Sequence, residues 1–112
     1  MHVFAKEFDE ALVLKLCGRL HSRTAPMLLD EVLPHTEDSD KTIILDLENL
    51  YSLNSAGFHS LHMLACKLDD ANRRMLFSSC PPGMEDRLHC ARLCDCVAIY
   101  PSLEDALTSL QS

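Results

Sequence analysis

The stretch Leu45-Asp46-Leu47-Glu48-Asn49-Leu50-Tyr51-Ser52-Leu53-Asn54-Ser55-Ala56-Gly57-Phe58 decides how this chain is read. It is the end of an apolar run, Thr42 to Leu47, followed by a short polar loop and the start of a long helical pattern. The run is rich in β-branched residues and nearly unbroken in its apolar character, as suits a central strand covered by helices. Asn54 stands where a helix cap is expected, and Ser55 falls in the first turn. There, backbone N–H groups lack intrahelical acceptors and the helix dipole is positive. A negative charge on Ser55 is therefore accommodated without unfolding anything. The same serine is equally suited to serve only as part of the cap.

Working towards the N-terminus, Glu37 to Asp40 reads as a solvated acidic loop. Before it, Met27, Leu28, Val32 and His35 follow a helical period, with Pro26 tolerated in the first turn and Thr24 or Ser22 as cap. Ala11 to Cys17 alternates apolar and polar residues and pairs as a hairpin with His2 to Phe8 across Asp9-Glu10; Gly18 ends it.

Towards the C-terminus, Ser55 to Asn72 forms a long amphipathic helix carrying Phe58, Leu61, Leu64, Ala65 and Leu68. Met75 to Cys80 is a strand and Pro81-Pro82-Gly83 a rigid turn. A helix over Met84 to Leu93 and a short strand from Cys96 to Tyr100 follow. Ser102 caps a last helix, with Asp105 three residues on in a capping-box arrangement. Leu103, Ala106, Leu107 and Leu110 are its apolar stripe. The order is β-β-α-β-α-β-α-β-α, an α/β fold in a single domain over residues 1–112, with a mixed sheet.

Bulk properties remove several function classes. A net charge of −7 argues against nucleic acid as a partner and against docking on anionic lipid. No segment approaches the roughly 20 apolar residues of a membrane span, and no basic-then-apolar leader is present. A cytoplasmic protein without membrane insertion is expected, its six cysteines reduced.

Taken in order, several pieces resemble the STAS domain family of bacterial anti-sigma-factor antagonists. They are Leu16-Cys17-Gly18-Arg19-Leu20, Thr24-Ala25-Pro26, Ile43 to Leu47, Leu53-Asn54-Ser55-Ala56-Gly57-Phe58, Leu93 to Tyr100, and Pro101 to Leu107. The resemblance implies a four- to five-stranded mixed sheet with helices mainly on one face. It also implies a binding module rather than an enzyme, with no cofactor. The family's core motif is close to D-S-x-G-[LI], its serine the phosphoacceptor, which places phosphorylation on Ser55. Such proteins bind an anti-sigma factor that is also a serine kinase and so release the sigma factor. Phosphorylation ends the binding, and a PP2C-like phosphatase restores it. Asn54, Ala56, Gly57, Phe58 and His59 would shape the partner surface, with Ser22, Arg23 and Thr24 beside it. Three positions depart from the family pattern: Asn54 replaces Asp, His21 stands where many members carry Asp, and Arg92 stands where Gly is common.

The same residues suggest other chemistry. Ala56 and Gly57 either admit a partner backbone or pack the helix onto the sheet. Cys90-x3-Cys94-x-Cys96 with His89 invites zinc, yet structural zinc sites carry a second ligand pair further off. The resemblance puts Cys90 and Cys96 at core positions, as small hydrophobes. His59 and His62 share a helix face without a third ligand. Asp46 and Glu48 read as interface or solvated charges. A Gly-x-Ser-x-Gly elbow is absent around Ser55, so no hydrolase triad is expected. The remaining readings are a STAS scaffold in another signalling complex, a subunit of a lipid-transport complex, and a small hydrolase or metal-binding domain.

Overall fold

The architecture follows from two opposite faces of alternating strands. A computed structural model of the chain describes residues 2–21, 23–37, 40–81, 83 and 97–111. Strands β1 (His2–Glu7) and β2 (Ala11–Leu20) form an antiparallel hairpin. Its turn over Asp9-Glu10 is closed by Phe8 N–H donating to the Ala11 carbonyl at 2.8 Å. Helix α1 (Met27–Glu37) leads to β3 (Thr42–Asp46) and β4 (Leu50–Leu53). Helix α2 (Ser55–Asp70) and β5 (Met75–Ser78) follow, and β6 (Ala98–Tyr100) precedes α3 (Leu103–Ser109). The main sheet runs β1-β2-β3-β5-β6 and is parallel beyond the hairpin. The helix expected over Met84 to Leu93 lies outside the described residues, as do Cys90, Cys94, Cys96, His89 and Arg92.

Side chains alternate across this sheet with period two. Leu12, Leu14 and Leu16 of β2 and Ile43 and Leu45 of β3 face one side, and so pack with Leu28 and Val32 of α1 and Leu61, Leu64 and Leu68 of α2. Ala11, Val13, Ile44 and Leu76 face the other side, where Ala106, Leu103, Leu107 and Leu110 cover them. Thus α1 and α2 share one face and α3 takes the other. Ser102 caps α3 as its sequence indicated, its Oγ accepting from Asp105 N–H at 3.1 Å.

Four sequence expectations change. First, the polar loop after β3 contains a strand: β4 pairs in parallel with Gly18–Leu20. Second, Gly18 does not end β2. The register shifts between Gly18 and Arg19, and Gly18 sits at φ 113°, a conformation that favours glycine. The bulge lets β2 run on to Leu20 and take β4 as a further partner. Third, Asp46 is buried rather than solvated, its Oδ1 accepting Glu48 N–H at 3.1 Å. Fourth, the Thr24 hydroxyl turns back onto its own loop rather than capping α1, accepting from His21 N–H and donating to the Arg19 carbonyl.

At the opposite end of the sheet, Arg73 joins α1 to β3. It donates to the Thr36 carbonyl at 2.6 Å and the Lys41 carbonyl at 3.0 Å.

The closest seating is that of α2 on the end of β2. Gly57 is buried, and a Cβ there would collide with the Leu20 carbonyl oxygen and Leu53 Cδ1. Gly57→Ala should therefore destabilise the fold by about 1–3 kcal/mol, despite the ~1 kcal/mol that alanine gains in a helix. Urea unfolding measures this, and an unchanged midpoint would show that α2 can slide to make room.

Candidate functional site

The site is assembled at the end of β2, where three segments meet. Leu20 is the hinge: its carbonyl accepts Asn54 N–H at 3.3 Å, extending the β2–β4 pairing by one step. Asn54 then takes extended backbone, φ −105° and ψ −174°, and caps α2. Its Oδ1 accepts Gly57 N–H at 3.0 Å, and its carbonyl accepts Phe58 N–H at 3.0 Å as the first helical bond. One of the orphan donors of the helix start is thereby satisfied. Helical geometry gives the N–H groups of Ser55 and Ala56 no intrahelical acceptor.

Ser55 is the first residue of α2 and is exposed. No acidic residue occupies the first turn, so nothing there offsets the positive end of the helix dipole. Ala56 and Phe58 are half-buried, His59 is exposed, and Gly57 is buried against the sheet. The absence of a side chain at Gly57 thus serves the seating of α2.

The second segment is the turn after β2. His21 N–H donates to Thr24 Oγ1 at 2.9 Å, and the His21 carbonyl accepts from Thr24 N–H and Ala25 N–H. His21 also reaches the third segment, β4: its Nε2 lies 2.6 Å from Ser52 Oγ. Arg23 is exposed on this turn, and Ser22 lies outside the described residues.

Between α1 and α2 runs a groove of about 420 Å³, lined by Ala25, Pro26, Leu29, Ala56, His59, Ser60 and Met63. It begins one residue from Ser55 and is mostly apolar. Ser60 does not open into it as a free donor, because its Oγ donates to the Gly57 carbonyl at 2.9 Å.

One exposed aromatic of β4 is missing from the sequence reading. Tyr51, on β4, is 81% exposed beside Ser52, a large aromatic left in solvent. His21 was noticed as a departure, but its bond to Ser52 spans 31 positions. Only recognition of β4 as a strand would have shown that Tyr51 points away from the core between buried Leu50 and Leu53. Among the described residues no group of three or more potential metal ligands occurs, and no helix is long and apolar enough to cross a membrane.

The profile of the STAS domain matches residues 2–106. The chain belongs to the STAS domain family. Among solved structures, the STAS fold seen here is similar to an anti-sigma factor antagonist from Mycobacterium paratuberculosis. The TM-score is 0.83 and the identity 24%, over 99% of this chain and 94% of the other. It is similar also to the Bacillus cell fate determinant SpoIIAA in its phosphorylated form, with TM-score 0.70 and 17% identity over 96% and 98% of the two chains. The murine anion transporter Slc26a9 in its inward-facing state matches with TM-score 0.79 and 15% identity, over 95% of this chain but 18% of the transporter. No curated protein sequence matches the chain.

The cap defines what residue 54 contributes to this STAS domain. Asn54→Ala should cost about 1 kcal/mol of stability, since Gly57 N–H then loses its acceptor. Asn54→Asp should cost nothing measurable, because a carboxylate accepts the same bond and faces the positive helix end. Thermal unfolding of the two variants separates them.

Proposed function

We propose that this STAS domain is a binding module that antagonises an anti-sigma factor and docks through the surface around Ser55. Phosphorylation of Ser55 by an anti-sigma factor serine kinase ends the binding, and a PP2C-like phosphatase restores it. The observation that carries this reading is the position of Ser55. It is an exposed serine in the family's motif place, opening a helix whose cap and seating do not depend on its hydroxyl. Similarity in fold to anti-sigma factor antagonists, one of them solved in a phosphorylated form, supports the same reading.

The physical logic is one of charge in an interface. Around Ser55 the surface offers the apolar groove and the small residue Ala56, and β4, which leads into the same helix, leaves Tyr51 exposed. Such a surface suits a protein partner, since aromatic residues are favoured in interface cores and charges are depleted there. Arg23, Thr24, Asn54, Phe58 and His59 border it, with Ser22 on the same turn in sequence, and Gly57 holds the helix that presents it. A phosphoserine adds about −1.5 to −2 charges. Buried against a partner, that charge must be stripped of water. Left in solvent at a helix start, it costs the fold little. Phosphorylation therefore weakens docking while leaving the domain folded.

Incubation with an anti-sigma factor kinase and ATP should add one phosphate, mapped by mass spectrometry to Ser55 and absent in Ser55→Ala. Loss of about 2–4 kcal/mol on phosphorylation corresponds to a roughly 30- to 1000-fold weaker complex. Calorimetry with the unmodified, phosphorylated and Ser55→Asp proteins reads this directly. Equal affinity of the unmodified and phosphorylated forms would rule out the switch.

A further inference from the structure

Further along α2, Cys66 Sγ lies 3.6 Å from His62 Nε2. The two residues are one turn apart on the same helix face. His62 is exposed and Cys66 half-buried, and neither belongs to the core that α2 builds with Leu61, Leu64, Ala65 and Leu68. The thiol is a weak hydrogen-bond donor, so little is gained from this contact alone.

The distance has another meaning. A zinc ion sits about 2.3 Å from a thiolate and about 2.0–2.1 Å from an imidazole nitrogen; at a tetrahedral angle the two donor atoms then lie about 3.6 Å apart. The side chains of His62 and Cys66 stand at that separation already. Their backbones are fixed by a helix whose opposite face is buried, so little ordering is needed on binding. A thiolate and an imidazole together select borderline-soft divalent cations over magnesium or calcium.

We propose that His62 and Cys66 form a two-point binding site for a Zn²⁺-type cation on the exposed face of α2. Binding makes one Cys66 Sγ–metal bond and one His62 Nε2–metal bond, and the thiol proton leaves to solvent. Among the described residues no third ligand stands close enough to complete the set, so water fills the remaining positions. The site is open and exchangeable, unlike a structural zinc site, which is closed by four protein ligands. His62 is seven residues from Ser55, two turns and about 10–11 Å along the same helix face. A bound cation thus adds positive charge to the stripe that carries Ser55.

The test uses the reduced, full-length protein and Zn²⁺ alone. Iodoacetamide labelling is followed peptide by peptide, so that Cys66 is read separately from Cys17, Cys80, Cys90, Cys94 and Cys96. Zinc at micromolar concentration should slow alkylation of Cys66 at least about tenfold, and His62→Ala, an exposed position, should abolish that protection. Substitution of Zn²⁺ by Co²⁺ should give a thiolate-to-cobalt charge-transfer band that Cys66→Ser removes, in the native chain or with Cys90, Cys94 and Cys96 replaced by Ser. Alkylation of Cys66 unchanged by zinc, or protection that survives His62→Ala, overturns the proposal. So does a cobalt band that persists undiminished in Cys66→Ser.

Discussion

The contact between Gly57 and the Leu20 carbonyl is the constraint on which the site depends. That carbonyl meets two groups at once: Asn54 N–H, which donates to it, and the bare Cα of Gly57, which packs over it. The first interaction extends the β2–β4 ladder to the residue that caps α2. The second lets the helix start directly on top of the strand end, with no side chain between. Both require β2 to continue past Gly18, which it does through a bulge at positive φ. Without the bulge, β2 would end at Cys17 and β4 would have no partner. Asn54 would then have no fixed place from which to cap the helix, and the exposure of Ser55 would be accidental rather than imposed.

The surrounding surface is held with similar economy. The turn after β2 is tied to itself by Thr24 and His21, then to β4 through His21 and Ser52. Its next residues, Ala25 and Pro26, form one wall of the groove whose other wall begins at Ala56. Small side chains on both walls keep the groove open between helices that pack elsewhere through Leu28, Leu61 and Leu64. The result is a largely apolar depression that begins one residue from exposed Ser55. Hydrogen bonding has been spent on fixing backbone, so few polar groups on this surface must be stripped of water when a partner docks.

Much of this was legible in the sequence because it was local. The nearly continuous apolar run from Ile43 to Leu47 is buried at every position, and the alternation in β2 assigns its side chains to two cores. Asn54 and Ser102 both accept the N–H three residues on, the bond their positions suggested. What was not legible depends on partners distant in the chain. β4 has four residues with only Leu50 and Leu53 buried, a spacing of three that does not show the period of two of a strand. It is a strand because Gly18–Leu20 is there to pair with it. The burial of Asp46 has the same origin, since its strand continues under neighbours on both sides where local charge suggested solvent. His62 was grouped with His59, three residues before it; the structure pairs it with Cys66, four residues after.

The two ends of the sheet are built for different purposes. Where the parallel strands begin, Arg73 donates to the Thr36 and Lys41 carbonyls, so a charged side chain is spent on holding backbone. Where β2 and β4 end, charged groups are withheld from the first turn of α2, and the open N–H groups of the helix face outwards. Open α/β sheets place their recognition surfaces beyond the carboxyl ends of their strands, where loops and helix starts converge. In this chain that end is tied by hydrogen bonds and close packing among Leu20, Asn54 and Gly57. On the switch proposed above, a charge added at Ser55 would meet a helix start already held by this cap and seating. Its effect would then lie in what the surface can bury against a partner, with the fold beneath it common to the bound and released states.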